Sequence, residues 1–196
     1  MQFFSEKVNS LLRDMEAVAE TYWNVPKEVA QLLYLLVLVK RAKKVMEIGT
    51  SNGYSGIWLA KALQQNSGKL LTIESHIERY NLARESFKKA EVEDVVDQIL
   101  GHAPEVFLTE KGLMEGGFDL IFMDATKKQH REFLKGVFDL LKIGGVIVVD
   151  NVLSHWEEMK SLVDYVNGIE SLDSQLLKVG DGLLIMIKKG NRLEVP

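Results

Sequence analysis

Val45-Met46-Glu47-Ile48-Gly49-Thr50-Ser51-Asn52-Gly53-Tyr54-Ser55 decides the fold. Its first residues, Lys44–Ile48, read as a buried strand, and Ser55–Gln65 carries the apolar spacing of a helix. Glycines at 49, 53 and 56 let the backbone turn sharply between them and pass close to a ligand. The spacing is not G-x-G-x-x-G, and the strand ends on an acid, Glu47. A carboxylate there repels a pyrophosphate and attracts an ammonium group.

The same alternation continues downstream. Strands are expected at Lys69–Ile73, Val95–Leu100, Phe118–Met123 and Val146–Val149. Helices are expected at His76–Ala90, Pro104–Leu113, Lys128–Leu141 and Trp156–Asn167. A final hairpin is expected from Leu176–Val179 and Leu183–Lys188 around Gly180-Asp181-Gly182. Repeated strand–helix units give an α/β fold, with a mostly parallel, doubly wound, Rossmann-like sheet and helices on both faces. Upstream, Val8, Leu11, Leu12, Met15 and Val18 form a helical stripe, and Pro26 opens a second helix to about Lys40. One domain is expected over 1–196, a helical segment at 1–42 leading into a core at 43–190, because no repeat or Pro/Gly-rich linker interrupts the chain.

Composition narrows the function. The 196 residues include no cysteine, which excludes disulfides, zinc–thiolate sites and cysteine nucleophiles. A net charge of -4 and a pI near 5.7 argue against non-specific nucleic-acid binding. The amino terminus lacks a signal pattern, and the longest apolar run, Leu32–Val39, is too short to span a bilayer. A cytoplasmic location without membrane association is the expectation.

Two further runs stand at strand ends: Asp124-Ala125-Thr126-Lys127 after Phe118–Met123, and Asp150-Asn151 after Val146–Val149. In open α/β sheets, ligands bind at the carboxyl edge of the strands. Two carboxylates and an amide oxygen are hard donors suited to Mg²⁺, Mn²⁺ or Ca²⁺. Glu74, at the end of the second strand, can accept both hydroxyls of a ribose. One acid for an amino group and one for a ribose fit S-adenosylmethionine better than NAD. Taken singly, these residues have ordinary readings: Asp124 as a helix cap, Asp150-Asn151 as a turn, Lys127 as a solvated charge. Their joint occurrence beside the glycine turn favours the site.

Together, Glu47-Ile-Gly-Thr-x-x-Gly-Tyr-Ser, Glu74, Asp124-x-x-Lys127 and Asp150-Asn151 resemble the metal-dependent class I O-methyltransferases, the group of catechol and caffeoyl-CoA O-methyltransferases. The resemblance implies a seven-stranded sheet whose last strand is antiparallel, S-adenosylmethionine as methyl donor, and Mg²⁺ as the usual metal. It implies Asp124, Asp150 and Asn151 as metal ligands and Lys127, beside Asp124, as the catalytic base. Glu47, Gly49, Ser51, Gly53, Tyr54, Ser55, Glu74, Ser75, His102, Ala103 and Asp124 are the expected cofactor contacts. His102 stands where the family more often has an acid near the adenine. The family's insertion after the metal pair is short in this chain, and a more open acceptor pocket is expected. The implied acceptor is a small catechol-like or vicinal diol, and the implied assembly is a homodimer. A hydroxylated tRNA base on the same metal site, and a non-catalytic S-adenosylmethionine-binding protein, are the competing readings. His130, within the basic run Lys127–Arg131, is read as part of a solvated helix face; His155 and Trp156 could line the acceptor site.

Overall fold

The computed structural model describes residues 3–124 and 130–193. Lys127 and its neighbours at 125–129 lie outside the described residues. The chain opens with helices α1 (Glu6–Ala17), α2 (Ala19–Tyr22) and α3 (Lys27–Lys40). Strand β1 (Lys44–Ile48), helix α4 (Tyr54–Asn66), strand β2 (Lys69–Glu74), helix α5 (Ile77–Lys89) and strand β3 (Val96–Leu100) follow. Next come helices α6 (Ala103–Thr109) and α7 (Lys111–Met114), strand β4 (Phe118–Met123), helix α8 (His130–Phe138) and strand β5 (Leu141–Val149). Helix α9 (Trp156–Asn167) and strands β6 (Leu172–Leu177) and β7 (Leu183–Lys188) end the fold.

The strands form one seven-stranded sheet in the order β3-β2-β1-β4-β5-β7-β6. The first five pair in parallel, and β7 runs antiparallel between β5 and β6. The expected mixed, doubly wound sheet is therefore observed. Chain order reverses at β1, whose neighbours are β2 and β4, and the crevice beyond such a reversal is where α/β folds take ligands.

Period-two alternation sends the sheet's side chains to two cores. Val45, Leu70, Leu120 and Val148 face α1, α3, α4 and α5, whereas Met46, Leu71, Ile121 and Ile147 face α6, α8 and α9. Each large apolar side chain so buried contributes about 1.5–3 kcal/mol. Within the first core, Trp58 packs edge-on against Phe3 and Phe4, with ring centroids 5.4 and 4.9 Å away. These contacts fasten the amino-terminal segment to α4. Among the described residues no helix is long and apolar enough to cross a membrane.

Four elements depart from the sequence expectation. The single helix expected over Pro104–Leu113 is broken at Glu110 into α6 and α7. The helix expected to reach Leu141 stops at Phe138, and β5 begins at Leu141 rather than Val146. There the ladder skips, pairing Phe118 with Leu141 but Leu120 with Val146, and Gly144 sits at φ 75° inside the irregularity. Gly144-Gly145 thus marks a bulge within the strand, which breaks alternation and hides the strand's first half. Strand β6 covers Leu172–Leu177 instead of Leu176–Val179, and after buried Leu172 its residues Asp173, Ser174 and Gln175 are polar and exposed in part. The glycine turn was legible, but this edge strand lacks the apolar pattern that marks a buried one.

Candidate functional site

At the carboxyl ends of β1, β2, β4 and β5 lies a cavity of about 730 Å³, a size that suits small-molecule ligands. The turn after β1 builds its floor. Gly49 and Gly53 take φ of 99° and 90°, a region closed to most side chains, and Ser51 joins them at 48°. The Asn52 Oδ1 accepts the Tyr54 amide at 3.2 Å, which helps to start α4.

Glu74 ties this turn to the second strand. Its Oε2 accepts the Ser51 amide at 2.8 Å and its Oε1 the His76 amide at 2.9 Å. Both oxygens are thereby fixed in direction while keeping lone pairs for a ligand. Glu74 and Ser75 line the cavity.

Glu47 is placed differently. It is fully buried and does not line the cavity; Ser55, which does, donates its hydroxyl to Glu47 Oε1 at 2.6 Å. Alternation puts Glu47 and Thr72 on the α4 face, and Thr72 Oγ1 donates to Glu47 Oε2 at 2.6 Å. Thr50 Oγ1, 2.6 Å from Thr72 Oγ1, completes the chain back to the cavity. Burial pushes the Glu47 carboxyl up to about 7; the two hydroxyl bonds oppose this, and Asp124 and Glu74 reinforce it. The acid therefore acts on the cavity through hydroxyls, a relay that a linear motif does not reveal.

Gly49, Ser51, Tyr54, His102, Ala103, Asp124 and Asn151 all reach the cavity, whereas Gly53 packs against Phe87 behind it. His102 Nδ1 is 2.5 Å from Glu105 Oε2, and its ring lies 6.1 Å from that of Phe133. Of the other candidates, His155 lines the cavity and Trp156, at the start of α9, is not among its lining residues. Arg131 turns away, its guanidinium 4.3 Å above the Tyr165 ring on α9. Lys43 and Lys44 sit at the opposite edge of the sheet, donating their amides to Asp119.

The expected metal set stands on adjacent strands. The Asp124 amide donates to Ile48 O and the Asp150 amide to Met123 O, so the two aspartates end neighbouring, parallel β4 and β5. Such strands lie about 4.8 Å apart, close enough for two carboxylates to share one ion. Asn151 takes φ 63°, and its amide donates to Asp150 Oδ1 at 2.7 Å, which fixes that carboxylate. The amides of Leu153 and Ser154 both donate to Asp181 O, so the β6–β7 hairpin holds this turn. Among the described residues no group of three or more His, Cys, Asp or Glu is placed to hold a metal. The set here has two carboxylates and one amide, and its hard oxygens fit Mg²⁺.

One wall was not anticipated. Glu20 and Tyr22 come from α2, Trp23 and Asn24 from the segment between α2 and α3, and Arg79 from α5. Ser51 Oγ donates to Tyr22 O at 2.6 Å, and Tyr54 OH to Glu16 Oε1 at 2.9 Å. The sequence signal is the aromatic pair Tyr22-Trp23, separated from Pro26 by two residues and outside the helical stripe that ends at Val18.

The family described as O-methyltransferase matches the chain over residues 5–189. A catechol O-methyltransferase of Mycobacterium tuberculosis is 36% identical over 129 residues, covering 66% of this chain and 57% of that protein. A caffeoyl-CoA O-methyltransferase of Medicago sativa is 37% identical over 145 residues, covering 70% of this chain and 58% of that protein. Those matches thus span less than two thirds of either relative's length. The crystal structure of the O-methyltransferase TomG from Streptomyces achromogenes, involved in tomaymycin synthesis and solved with SAM, superposes with a TM-score of 0.84. It is 26% identical, with 96% of this chain and 92% of that one covered.

Proposed function

We propose, from the premise that this chain belongs to the O-methyltransferase family, that it moves a methyl group from S-adenosylmethionine to a hydroxyl of a small catechol-like diol. One observation carries the reading. Glu74, held through both oxygens by the Ser51 and His76 amides, faces the same cavity as Asp124 and Asn151. Glu74 and two of the three hard-oxygen donors thus open on one space, while Asp150 is fully buried behind them and does not line it. The names of the catechol and caffeoyl-CoA relatives, and the SAM-bound TomG, support the donor and acceptor classes.

In this reading the adenine lies toward His102 and Ala103, the ribose on Glu74, and the amino-acid end of the donor over Gly49, Ser51 and Ser55. The segment carrying Tyr22 and Trp23 covers the donor and limits access of water, which would compete for the proton and weaken every charge interaction inside. Asp124, Asp150 and Asn151 would hold Mg²⁺, whose charge favours the ionised form of a nearby hydroxyl. Lys127, as a neutral amine, accepts the proton of the acceptor hydroxyl at Nζ. The oxygen is then aligned for in-line displacement at the methyl carbon, with the sulfur as leaving group.

The test is steady-state methylation with S-adenosylmethionine and Mg²⁺, offering catechol, 3,4-dihydroxycinnamate and bulk tRNA in separate reactions. Methylation of the diols, and not of tRNA, is expected. Methylation of tRNA alone would replace the small acceptor with a nucleic acid. Absence of any turnover, with tight S-adenosylhomocysteine binding by calorimetry, would make the chain a binding protein.

A further inference from the structure

Arg79 is the sole Lys or Arg among the described residues that line the cavity, where Glu20, Glu74, Asp124 and Asp181 supply the opposite charge. Its guanidinium is not spent on any of them. Among the described residues its partner is the Trp23 ring, whose centroid lies 4.4 Å from the guanidinium carbon. Glu74 is already committed to the Ser51 and His76 amides.

Trp23 is an unusual platform. It is 71% exposed, in the left-handed region at φ 55°, and so gains little from burial. The backbone around it is nonetheless tightly held. Tyr22 O accepts Ser51 Oγ, the Asn24 amide donates to Ala19 O, and Asn24 Nδ2 donates to Met15 O. This frame fixes an indole at the cavity mouth, where stacking orients Arg79 and shields one face of it from water. Stacking leaves the in-plane N–H fork open, the geometry that grips a carboxylate or phosphate through two parallel bonds. An anion placed beside the lining acids Glu20, Glu74, Asp124 or Asp181 is repelled by them.

We propose that Arg79, stacked on Trp23 at the mouth of the cavity, is a specificity-determining residue for an acceptor that carries an anionic arm, a carboxylate or a phosphate. The inference rests on the methyltransferase reading and narrows its acceptor from any catechol-like diol to one with a charged arm.

The experiment compares three acceptors in the full chain: neutral catechol, 3,4-dihydroxycinnamate with its carboxylate, and the coenzyme A thioester of that acid with its phosphates. Wild type, Arg79→Gln and Arg79→Lys are each assayed for kcat and KM. In Arg79→Gln, kcat/KM for an anionic acceptor relative to catechol falls on the order of tenfold, carried by KM. Arg79→Lys, which keeps the charge and loses the fork, recovers part of the ratio. A fall confined to the cinnamate identifies a carboxylate arm, and one confined to the thioester a phosphate arm. An unchanged ratio, with all acceptors affected equally or none, overturns the proposal. If wild type methylates none of the three, the functional reading fails instead. Calorimetric binding of the same molecules with S-adenosylhomocysteine present then decides the point. A wild-type preference for the anionic compounds that Arg79→Gln removes upholds the anion site, and no preference rejects it.

Discussion

Ser55 Oγ donates a 2.6 Å hydrogen bond to Glu47, which joins a fully buried carboxylate to the wall of the cavity. A charged Glu47 only accepts, so Ser55 and Thr72 both point their hydrogens at it, and Thr50 in turn donates to Thr72. The Ser55 and Thr50 oxygens then present lone pairs to the cavity, a surface suited to a cationic ligand group.

This burial makes stability depend on pH. Below about pH 4.5 Glu47 is protonated in both folded and unfolded chains and contributes nothing. As pH rises, the unfolded chain releases its proton first, while the folded carboxyl, pushed up to about 7, retains it. Stability is therefore lost between pH 4.5 and 7, by about 3 kcal/mol in all. Glu47→Gln should raise the melting temperature at pH 8 and lose most of that advantage at pH 5, as thermal unfolding at the two pH values will show.

Gly56 marks a close approach of α4 to its neighbours. A Cβ there would lie 2.9 Å from two ring atoms of buried Phe87 and 3.0 Å from Glu47 Oε2. Gly56→Ala should cost about 1–3 kcal/mol despite its better helix propensity. Urea unfolding with an unchanged slope and a lower midpoint is the expected result.

Glu74→Ala removes the acceptor of two amides and the expected ribose contact together. S-adenosylhomocysteine affinity should fall at least about tenfold by calorimetry, in line with loss of charge-assisted bonds. Unchanged affinity would place the ribose elsewhere.

Lys127→Ala should lower kcat by about 10²–10⁴, the range for a general base, while S-adenosylhomocysteine affinity changes little. Equal loss of both would give Lys127 a binding role instead.

Much of this was legible in the chain because strand ends and turns carry local signals. Glu47, Gly49, Gly53 and Glu74 announce themselves by their position after apolar runs, and β1, β2 and β4 form where those runs stand. The antiparallel β7 was likewise foreseeable from the Gly180–Gly182 turn and the family pattern. What escaped depends on contacts between segments distant in sequence. Trp23 and Arg79 meet only after the amino-terminal segment crosses the cavity. Glu47 reads as a direct contact until alternation places it beneath α4, where Ser55 intervenes. The bulge at Gly144 breaks the period by which a strand is recognised.

The central claim, that the ends of β1, β2, β4 and β5 bring a methyl donor and a metal-held diol into one cavity, is tested most directly by labelled methyl transfer. The rate of transfer from S-adenosylmethionine to 3,4-dihydroxycinnamate is followed with Mg²⁺, after EDTA, and after Mg²⁺ is restored. The account predicts transfer that EDTA lowers at least about 10²-fold, the scale of a lost charge-stabilising group, and that Mg²⁺ restores. Transfer at full rate in EDTA would contradict it.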